Sequence, residues 1–588
     1  MINKNNSLII GMGNFDTFGG WLLDTQFVAN MGFPYLLAHG IGEPVDDATT
    51  KVNFPEKGIY RMFVYTYNWV APWKPQYAPG RFQIKLNQNT IDKEFGTEND
   101  NWSWEYGGEV EIDDTNATLS LCDLTGFEGR CGLILFTQNT MFTPPQETGE
   151  IIKLYKKLTN QESTDNTLQF DMIVAGGGIA GICCALSCAR QGLKTALIQD
   201  RGVVGGNNSS EVRVWLGGET NYEPFPGIGN IVNELEQARK AHYGSSNTGD
   251  LYEDDNKEQL LRNEENLSLF LNHILTDVVT DGDKICEVEV FDIPTGKYKK
   301  MTAPLYADCT GDGTVGAMAG ADFEVTTNGH MGMTNHWHLK NMGTKQTFPR
   351  CPWAIDLTNC TFPGRKGVKD VYNNQGEISL GVWFWESGCE LDPIDNAEYA
   401  RDTNLRAMYG AVDCLKNVDN DYENYKIGFC GHIGGKRESR RLFGDVILTK
   451  SDVYKGTIFE DSCIPSTWNF DVHYPDKRFY GAFYEGDGFI TKDYHERFNK
   501  PYFVPYRCLY SRNLSNMFMA GRNVSVSHDA LGTVRVMRTG GMMGEVIGYA
   551  AAICKSENTL PRDVYSNHLD KLMSTLKGIP KIMKKDQI

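Results

Sequence analysis

Three glycines at the end of an apolar segment have the most specific chemical use in this chain. Residues 171–181 read Asp-Met-Ile-Val-Ala-Gly-Gly-Gly-Ile-Ala-Gly, which predicts a short strand followed by a glycine turn. Gly176 would make the tight turn, Gly178 would leave the backbone bare for a pyrophosphate, and Gly181 would let the next helix pack on the sheet. That helix, predicted over residues 182–192, would point its unpaired N–H groups and positive dipole end at the phosphates. The pattern predicts a dinucleotide-binding loop.

A second predicted strand, residues 194–198, ends where an acidic residue usually binds the ribose hydroxyls. Here Gln199 stands at the strand end and Asp200 follows it. An amide can bind a hydroxyl, although it lacks the charge that strengthens a carboxylate hydrogen bond. Either residue could make the ribose contact, and Asp200 could instead be a solvated turn residue.

Several later segments combine with the glycine turn into a recognisable set. The chain resembles FAD-dependent oxidoreductases of the two-dinucleotide-binding-motif type, and more narrowly a bacterial group often encoded beside carbohydrate-degrading enzymes. The resemblance spans roughly residues 168 to 555. The segments that carry it are the glycine turn, Gly205-Gly206-Asn207, residues 308–313 (Asp-Cys-Thr-Gly-Asp-Gly), residues 434–445 and residues 518–522, with a predicted helix over residues 535–552.

The resemblance implies bound FAD and an α/β FAD-binding Rossmann-like fold with an inserted α+β substrate cap. The glycine turn would hold the diphosphate, and the late helix would point its N-terminus at the flavin N1/O2 edge, where negative charge develops on reduction. The residues expected at the cofactor are Gly176, Gly178, Ile179, Ala180, Gly181, Gln199, Asp200, Arg201, Gly205, Gly206, Asn207, Gly311, Asp312, Gly521, Arg522, Thr539, Gly540 and Gly541.

Residues 1–160 contain no cofactor motif. Short segments such as residues 58–67 and 81–86 alternate apolar and polar side chains between turn residues, which predicts an N-terminal β-sandwich domain. Its aromatic side chains could fill a core or a domain interface, or they could stack on sugar rings. These aromatic residues are Trp21, Tyr65, Tyr67, Trp69, Trp73, Trp102, Trp104 and Tyr106.

The cofactor motifs divide the rest of the chain. A linker is expected at residues 161–166, and the cap is expected to contain an aromatic strand at residues 381–385 and a helix at residues 396–415. The expected boundaries are an accessory domain at 1–160, FAD-binding parts at 167–220, 271–330 and 501–560, cap segments at 221–270 and 331–500, and a C-terminal tail at 561–588.

Flavin chemistry requires a donor C–H near flavin N5 and a group that manages one proton, for which histidine is the usual choice. His473 is the first candidate base, because it alternates with Asp471 on a predicted strand and so shares a face with it. His528 is the second candidate, because it follows Arg522 and precedes the late helix. Each histidine could instead be a structural, hydrogen-bonded residue.

Arginines supply a second group of candidates. Arg437 lies three and four residues before Arg440 and Arg441, a spacing that would place them on one helix face. They could bind a substrate carboxylate or phosphate through paired hydrogen bonds, or form ion pairs that join the cap to the FAD domain. Tyr506, just before the last strand of the FAD fold, is a further candidate with an open role.

Composition excludes several classes of function. The formal net charge of -18 argues against nucleic acid or an anionic membrane surface as partners. The 15 cysteines include no Cys-x-x-Cys pair, so no metal site is expected. No apolar run approaches the roughly 18 residues of a membrane span. A cytoplasmic location is expected, with an already removed signal left open.

The expected activity is oxidation of a secondary alcohol of a carbohydrate, glycoside or polyol, by hydride transfer to flavin N5. The expected partner is therefore a small-molecule substrate, and the oligomeric state is open. The carbohydrate part follows from the resemblance and the aromatic domain. The alternatives are a flavin-dependent reductase of an activated C=C bond, with an arginine as the proton donor, and a flavin-bearing binding protein without turnover.

Overall fold

The computed structural model describes residues 2–161, 167–241, 244–368, 384–476, 488–496 and 501–582. In the N-terminal part, two four-stranded antiparallel sheets face each other. Their alternating side chains meet in one buried cluster, with Tyr60, Met62 and Val64 from one sheet and Ile84 and Leu119 from the other. In spatial order the sheets contain Ser7–Gly11, Leu133–Thr137, Gly58–Thr66 and Ser103–Ile112, and Ala48–Asn53, Asn116–Asp123, Phe82–Leu86 and Asn89–Thr90.

A small third sheet and two helices complete this part, which we call the N-terminal module (residues 2–160). The sheet contains Leu22–Asp24, Tyr35–Ala38 and Gly129–Cys131. The helices are Val28–Met31 and Thr148–Leu158. Most of the module's large aromatic residues are buried: Trp69 packs on Trp353 of the cap, with ring centroids 5.4 Å apart. The Trp102 indole N–H donates to Glu398 of the cap at 2.9 Å. These side chains therefore serve core and interface packing.

A five-stranded parallel sheet forms the centre of the molecule. The order of its strands is Leu267–Phe270, Thr195–Ile198, Met172–Ala175, Leu305–Asp308 and Met517–Met519. Helix Ile179–Arg190 packs on helix Met537–Glu557 at glycine contacts. A Cβ on Gly544 would lie 2.1 Å from the Ala180 carbonyl oxygen, so the two backbones touch only because that side chain is absent. A four-stranded sheet beside it contains Thr167–Gln169, Lys297–Thr302, Lys284–Asp292 and His273–Asp281.

The cap is built from one long helix and several small sheets. The helix Ala397–Asp413 continues as a π-helical turn, Cys414–Val418. It lies where the sequence predicts a helix, at residues 396–415. Besides the C-terminal helix Pro561–Gly578, the remaining helices and 3-10 turns of the described chain are Met12–Asn14, Asn230–Glu234, Gly244–Ser246, Gly249–Tyr252, Asp254–Arg262, Thr314–Met318, Arg365–Gly367, Lys450–Lys455, Tyr506–Cys508 and His528–Val534. Four small sheets have two strands each: Phe323–Glu324 with Arg441–Leu442, Trp337–Asn341 with Tyr425–Cys430, Ser462–Ser466 with Tyr502–Pro505, and Phe470–Pro475 with Thr491–Glu496. A three-stranded sheet contains Glu386–Ser387, Met333–Thr334 and Gly435–Lys436, in that spatial order.

Three sequence-based expectations are corrected. Strand Leu267–Phe270, which was assigned to a cap segment, is the outer strand of the parallel sheet. The segment expected as a tail forms helix Pro561–Gly578, because Val564, Leu572 and Leu576 bury an apolar stripe. Arg437, Arg440 and Arg441 share no helix, since short strands occupy this part of the chain.

Two further expectations lie largely outside the described residues. They are the linker, of which residue 161 alone is described, and the aromatic strand at residues 381–385, of which residues 384 and 385 are described. Within the described chain, no helix combines the length and apolar character that crossing a membrane requires.

Candidate active site

The glycine turn opens a cradle at the end of the central strand. Gly176 has φ +97°, and a Cβ there would lie 2.4 Å from the Cys309 carbonyl oxygen, so both conformation and space require glycine. Gly178 starts helix Ile179–Arg190 and forms an isolated bridge with Gly205. A Cβ on Gly178 would meet only the Gly206 Cα, at 3.9 Å, and would otherwise extend into open space. Packing within the protein therefore does not require glycine at position 178, and the space beside its backbone is open to a ligand.

The cradle belongs to a cleft with a cavity volume of about 640 Å³, within the usual range for small-molecule sites. All the residues expected at the cofactor line this cleft except Gly181, Thr539 and Gly541. A Cβ on Gly181 would lie 1.8 Å from the Gly176 carbonyl oxygen, and one on Gly541 would lie 2.7 Å from a Val232 methyl. The Thr539 hydroxyl bonds the Ser466 hydroxyl at 3.0 Å. These three residues pack the elements behind the cleft.

The Gln199 side chain makes hydrogen bonds to the glycine turn and to residue 203, which the sequence did not predict. Its side-chain oxygen accepts from the Gly177 N–H at 2.7 Å, and its amide nitrogen donates to the Val203 carbonyl at 3.1 Å. Gln199 therefore stabilises the glycine turn through these hydrogen bonds. Asp200 also lines the cleft, where burial raises the pKa of its carboxyl group despite the nearby Arg201 guanidinium.

Asp312, on the Thr-Gly-Asp-Gly turn, joins the cleft to the cap. Its carboxylate accepts from Lys436 Nζ at 2.7 Å, Ser439 Oγ at 2.8 Å and Arg522 Nη2 at 3.1 Å. Burial alone would raise the pKa of Asp312, but Lys436 and Arg522 hold it well below its usual range. The turn itself is fixed by Asp308, which accepts from the Gly316 N–H at 2.9 Å.

A second, smaller cavity of about 170 Å³ adjoins the cleft. Trp215 and Trp468 line it, together with polar side chains of the cap. A Cβ on Gly217 would lie 3.5 Å from Trp468 Cη2 and 3.8 Å from Trp215 Cη2, so both indole edges converge on this glycine. The residues that line both the cavity and the cleft are Asn207, Lys436, Arg522, Arg535 and Met537.

A chain of charged groups runs from this cavity into the cap. Asp471 lines the cavity, and its Oδ1 lies 3.1 Å from His473 Nε2. On the other side of the ring, His473 Nδ1 lies 3.2 Å from Glu386 Oε2, which also accepts from Arg437 Nε at 2.8 Å. Arg535 Nη2 lies 3.2 Å from Asp471 Oδ2.

The electrostatics of this chain favour two ionised carboxylates. Burial would raise the pKa of Glu386, but Arg437 and His473 lower it to about 2. Burial would likewise raise the pKa of Asp471, and His473 and Arg535 hold it far below its usual range. The His473 ring therefore lies between two carboxylates, with Nε2 3.1 Å from Asp471 Oδ1 and Nδ1 3.2 Å from Glu386 Oε2.

The candidate catalytic residues divide into two groups. Arg440 lines the cofactor cleft, where its Nη1 donates to the Asp312 carbonyl oxygen at 3.3 Å. His473 shares a strand face with Asp471, as the alternation predicts, but it lies behind Asp471 and does not line the cavity. Its ring stacks on Phe384 with centroids 5.2 Å apart.

The other three candidates line neither cavity. His528 Nδ1 lies 2.9 Å from the Glu438 carboxylate. The buried Arg441 guanidinium pairs with Glu438 and with Glu324, the latter at 2.7 Å, so it joins cap strands. The hydroxyl of the buried Tyr506 donates to the Pro561 carbonyl at 2.8 Å. The structure therefore gives these side chains structural positions.

Comparison with known proteins agrees with the cradle. The model of the FAD-dependent oxidoreductase family matches residues 171–576. The chain belongs to this family. It is an enzyme of the FAD-dependent oxidoreductase family, and its cleft fits FAD: Gly178 leaves the space a diphosphate needs, and Met537 and Gly540 bring the start of helix Met537–Glu557 to the cleft wall.

Curated relatives match only short segments of this FAD-dependent oxidoreductase. A stretch of 52 residues is 44% identical to glycerol-3-phosphate dehydrogenase of Mycobacterium leprae (strain TN), over 9% of each chain. A stretch of 83 residues is 31% identical to the mitochondrial glycerol-3-phosphate dehydrogenase of Rattus norvegicus, over 14% of this chain and 10% of that one. The matches thus span about a tenth of each relative's length.

Solved structures show distant similarity. A geranylgeranyl bacteriochlorophyll reductase-like protein from Thermoplasma acidophilum is 12% identical with a TM-score of 0.32, over 70% of this chain and 84% of that one. The quinol fumarate reductase of E. coli is 10% identical with a TM-score of 0.31, over 70% and 75% of the two chains.

Proposed function

We propose that this enzyme oxidises a secondary alcohol of a carbohydrate, glycoside or related polyol. The observation that carries the proposal is the position of the small cavity, which shares five lining residues with the FAD cleft. The rest of its wall combines two tryptophans and apolar residues with the polar side chains of Thr334, His336, Arg437 and Asp471. Indole faces stack on sugar rings, and ligands bind at such domain interfaces. Bound FAD would supply the acceptor for the hydride of the carbinol C–H.

Buried donors in the cavity wall support an oxygen-rich substrate. The Trp468 indole N–H and Arg535 Nε are buried and have no hydrogen-bond partner among the residues the structure describes. A buried donor without an acceptor is costly, and substrate hydroxyls would provide acceptors for both. Trp468 and Arg535 would therefore orient the alcohol by hydrogen bonds.

The charged groups Asp471, His473 and Glu386 would accept the hydroxyl proton and stabilise its charge. In the proposal, the Asp471 carboxylate takes the proton of the reacting hydroxyl as the hydride leaves the carbinol carbon, and a proton passes from Asp471 Oδ1 to His473 Nε2, 3.1 Å away. Glu386, 3.2 Å from His473 Nδ1, stabilises the charged ring from the opposite side. His473 thus stays the proposed base and acts through Asp471.

Anaerobic mixing of the FAD-loaded enzyme with a panel of sugars, glycosides and polyols tests this function. Glycerol 3-phosphate belongs in the panel, because the relatives with short matches are named for it. We expect loss of the oxidised-flavin absorbance with one class of alcohol. If no alcohol bleaches the flavin while dithionite does, alcohol oxidation is wrong.

The second candidate is reduction of an activated C=C bond. Arg437 and Arg535 line the same cavity and could bind the carboxylate of an unsaturated acid, and one of them would then donate the proton. Unsaturated acids should in that case reoxidise the chemically reduced enzyme without oxygen. Enzyme that neither class of compound oxidises or reduces would instead be a flavin-bearing binding protein.

A further inference from the structure

The cofactor cleft has a wall that neither the motifs nor the family match includes. The cofactor motifs and the family match both begin after residue 170. The cleft is nevertheless also lined by residues of the N-terminal module, namely residues 25–30, Gly32, Thr148 and Ile152. Ala29 is exposed along this wall, on helix Val28–Met31. The module therefore borders the same cavity as the glycine cradle.

At one end of this wall, Gln26 fastens the module to a loop of the cap. Gln26 Oε1 accepts from the Gly434 N–H at 2.7 Å, and its Nε2 donates to the His432 carbonyl at 3.1 Å. Two residues later, Lys436 reaches Asp312 in the cleft at 2.7 Å. Gln26 is itself held by Asp24, whose Oδ1 accepts from Gln26 Nε2 at 3.0 Å. Gln26 thus fixes the backbone that presents Lys436.

At the other end, helix Thr148–Leu158 meets the sheet beside the cleft. Lys156 Nζ lies 3.1 Å from Glu289 Oε1, and the Thr276 hydroxyl donates to the Glu289 carbonyl at 3.2 Å. Thr276 lines the cleft, as does Ile152 on the same helix as Lys156. The wall is therefore attached on both sides of the cleft.

Buried ion pairs lock the module in this position. Arg401 Nη1 of the cap lies 2.6 Å from Asp24 Oδ2, and Arg130 Nη2 of the module lies 2.6 Å from Asp402 Oδ1, with all four side chains almost completely buried. A buried pair that loses one partner leaves an uncompensated charge, so separation of the module is strongly opposed. The wall is a fixed part of the molecule.

We propose that the N-terminal module forms one wall of the FAD site, with Ala29 on the cofactor side and Gln26 as a positioning residue for residues 434–436. The module is in this view required for FAD affinity. The proposal concerns FAD alone and is independent of the substrate, so it can fail while alcohol oxidation stands, and the reverse.

Titration of the full-length apoprotein with FAD, followed by flavin fluorescence, tests the wall. Ala29→Trp should raise the Kd for FAD at least about tenfold, because the indole occupies volume that the ligand needs. Thr90→Trp is the matched control: Thr90 is exposed in the same module, lies outside the cleft and should keep the wild-type Kd.

Gln26→Ala tests the positioning role and keeps the proposal testable if Ala29→Trp does not fold. It should raise the Kd about 5-fold to 100-fold, the range for leaving hydrogen-bonding groups unpaired, and shift the flavin midpoint potential because Lys436 moves. Gln88→Ala, an exposed amide of the same module, should change neither quantity. Wild-type Kd and potential in folded Gln26→Ala, with wild-type Kd in any folded Ala29→Trp, would overturn the proposal.

Discussion

The FAD cleft and the small cavity beside it are built in different ways. In the cleft, the backbone forms the site: Gly176 adopts a conformation that other residues avoid, and Gly178 leaves space that a side chain would fill. In the cavity, side chains form the site, and Trp215, Trp468 and Arg535 come from segments far apart in the chain.

This difference explains how each site should respond to change. A backbone cradle admits no Cβ at its centre, because the ligand approaches the main chain directly. A side-chain cavity depends on a few charged and aromatic groups. Substitutions should therefore separate cofactor binding from substrate chemistry.

Gly178→Val should have the largest effect on cofactor binding. The added side chain meets open space rather than protein, so the chain should fold, while the Kd for FAD should rise more than about 100-fold because the pyrophosphate position is filled. Gly149→Val, where a Cβ also meets nothing within 4 Å, is the control and should stay yellow. Retention of FAD by Gly178→Val would contradict the cradle.

His473→Gln should spare the cofactor and slow the chemistry. Flavin reduction by the substrate should fall roughly 100-fold to 10,000-fold, the usual range for loss of a general base, with FAD affinity unchanged. Stopped-flow absorbance across pH measures the rate. His568→Gln, on the C-terminal helix, is the control. A rate within a fewfold of wild type would remove His473 from the mechanism.

Glu386→Gln should lower stability in a pH-dependent way. The pKa of Glu386 lies below its ordinary value of 4.5, at about 2, so its ionised form favours the folded state. That contribution, about 1 to 3 kcal/mol, is present above about pH 4.5 and is lost as pH falls toward about 2. Urea unfolding of both proteins measures it. An equal free-energy difference at pH 7 and pH 3 would contradict the ion-pair chain.

Gly217→Val should have the smallest effect. The valine methyl groups would contact the edges of Trp215 and Trp468 and narrow the cavity. A substrate that fits less well should lower kcat/KM about tenfold, which corresponds to roughly 1.4 kcal/mol of transition-state binding. FAD affinity should not change, because Gly217 does not line the cleft. A change confined to FAD affinity would place the two sites differently from our account.

The cleft could be predicted from sequence because its information is local. A strand, a glycine turn and a helix follow one another within residues 171–190, and each glycine has a backbone reason that the sequence displays. The adjacent Gln199 could not be assigned, since its hydrogen bond to the Gly177 N–H depends on two strands meeting.

The cavity was only partly predictable. Alternation placed Asp471 and His473 on one face, but which of the two lines the cavity depends on how the cap packs. No spacing pattern marks Trp215 or Arg535 as neighbours of Asp471. His528 and Tyr506 lie close in sequence to FAD segments, but their hydrogen bonds to Glu438 and to the Pro561 carbonyl direct both side chains elsewhere.

Anaerobic flavin reduction in Asp471→Asn tests the central claim, that substrate chemistry takes place in this cavity against the FAD cleft. The variant keeps the shape of the side chain and removes the charge that faces the substrate. We expect wild-type FAD affinity and a reduction rate at least about 100-fold lower, with Asp529→Asn, an exposed carboxylate on a nearby helix, at the wild-type rate. Wild-type reduction by Asp471→Asn would show that the reaction takes place elsewhere.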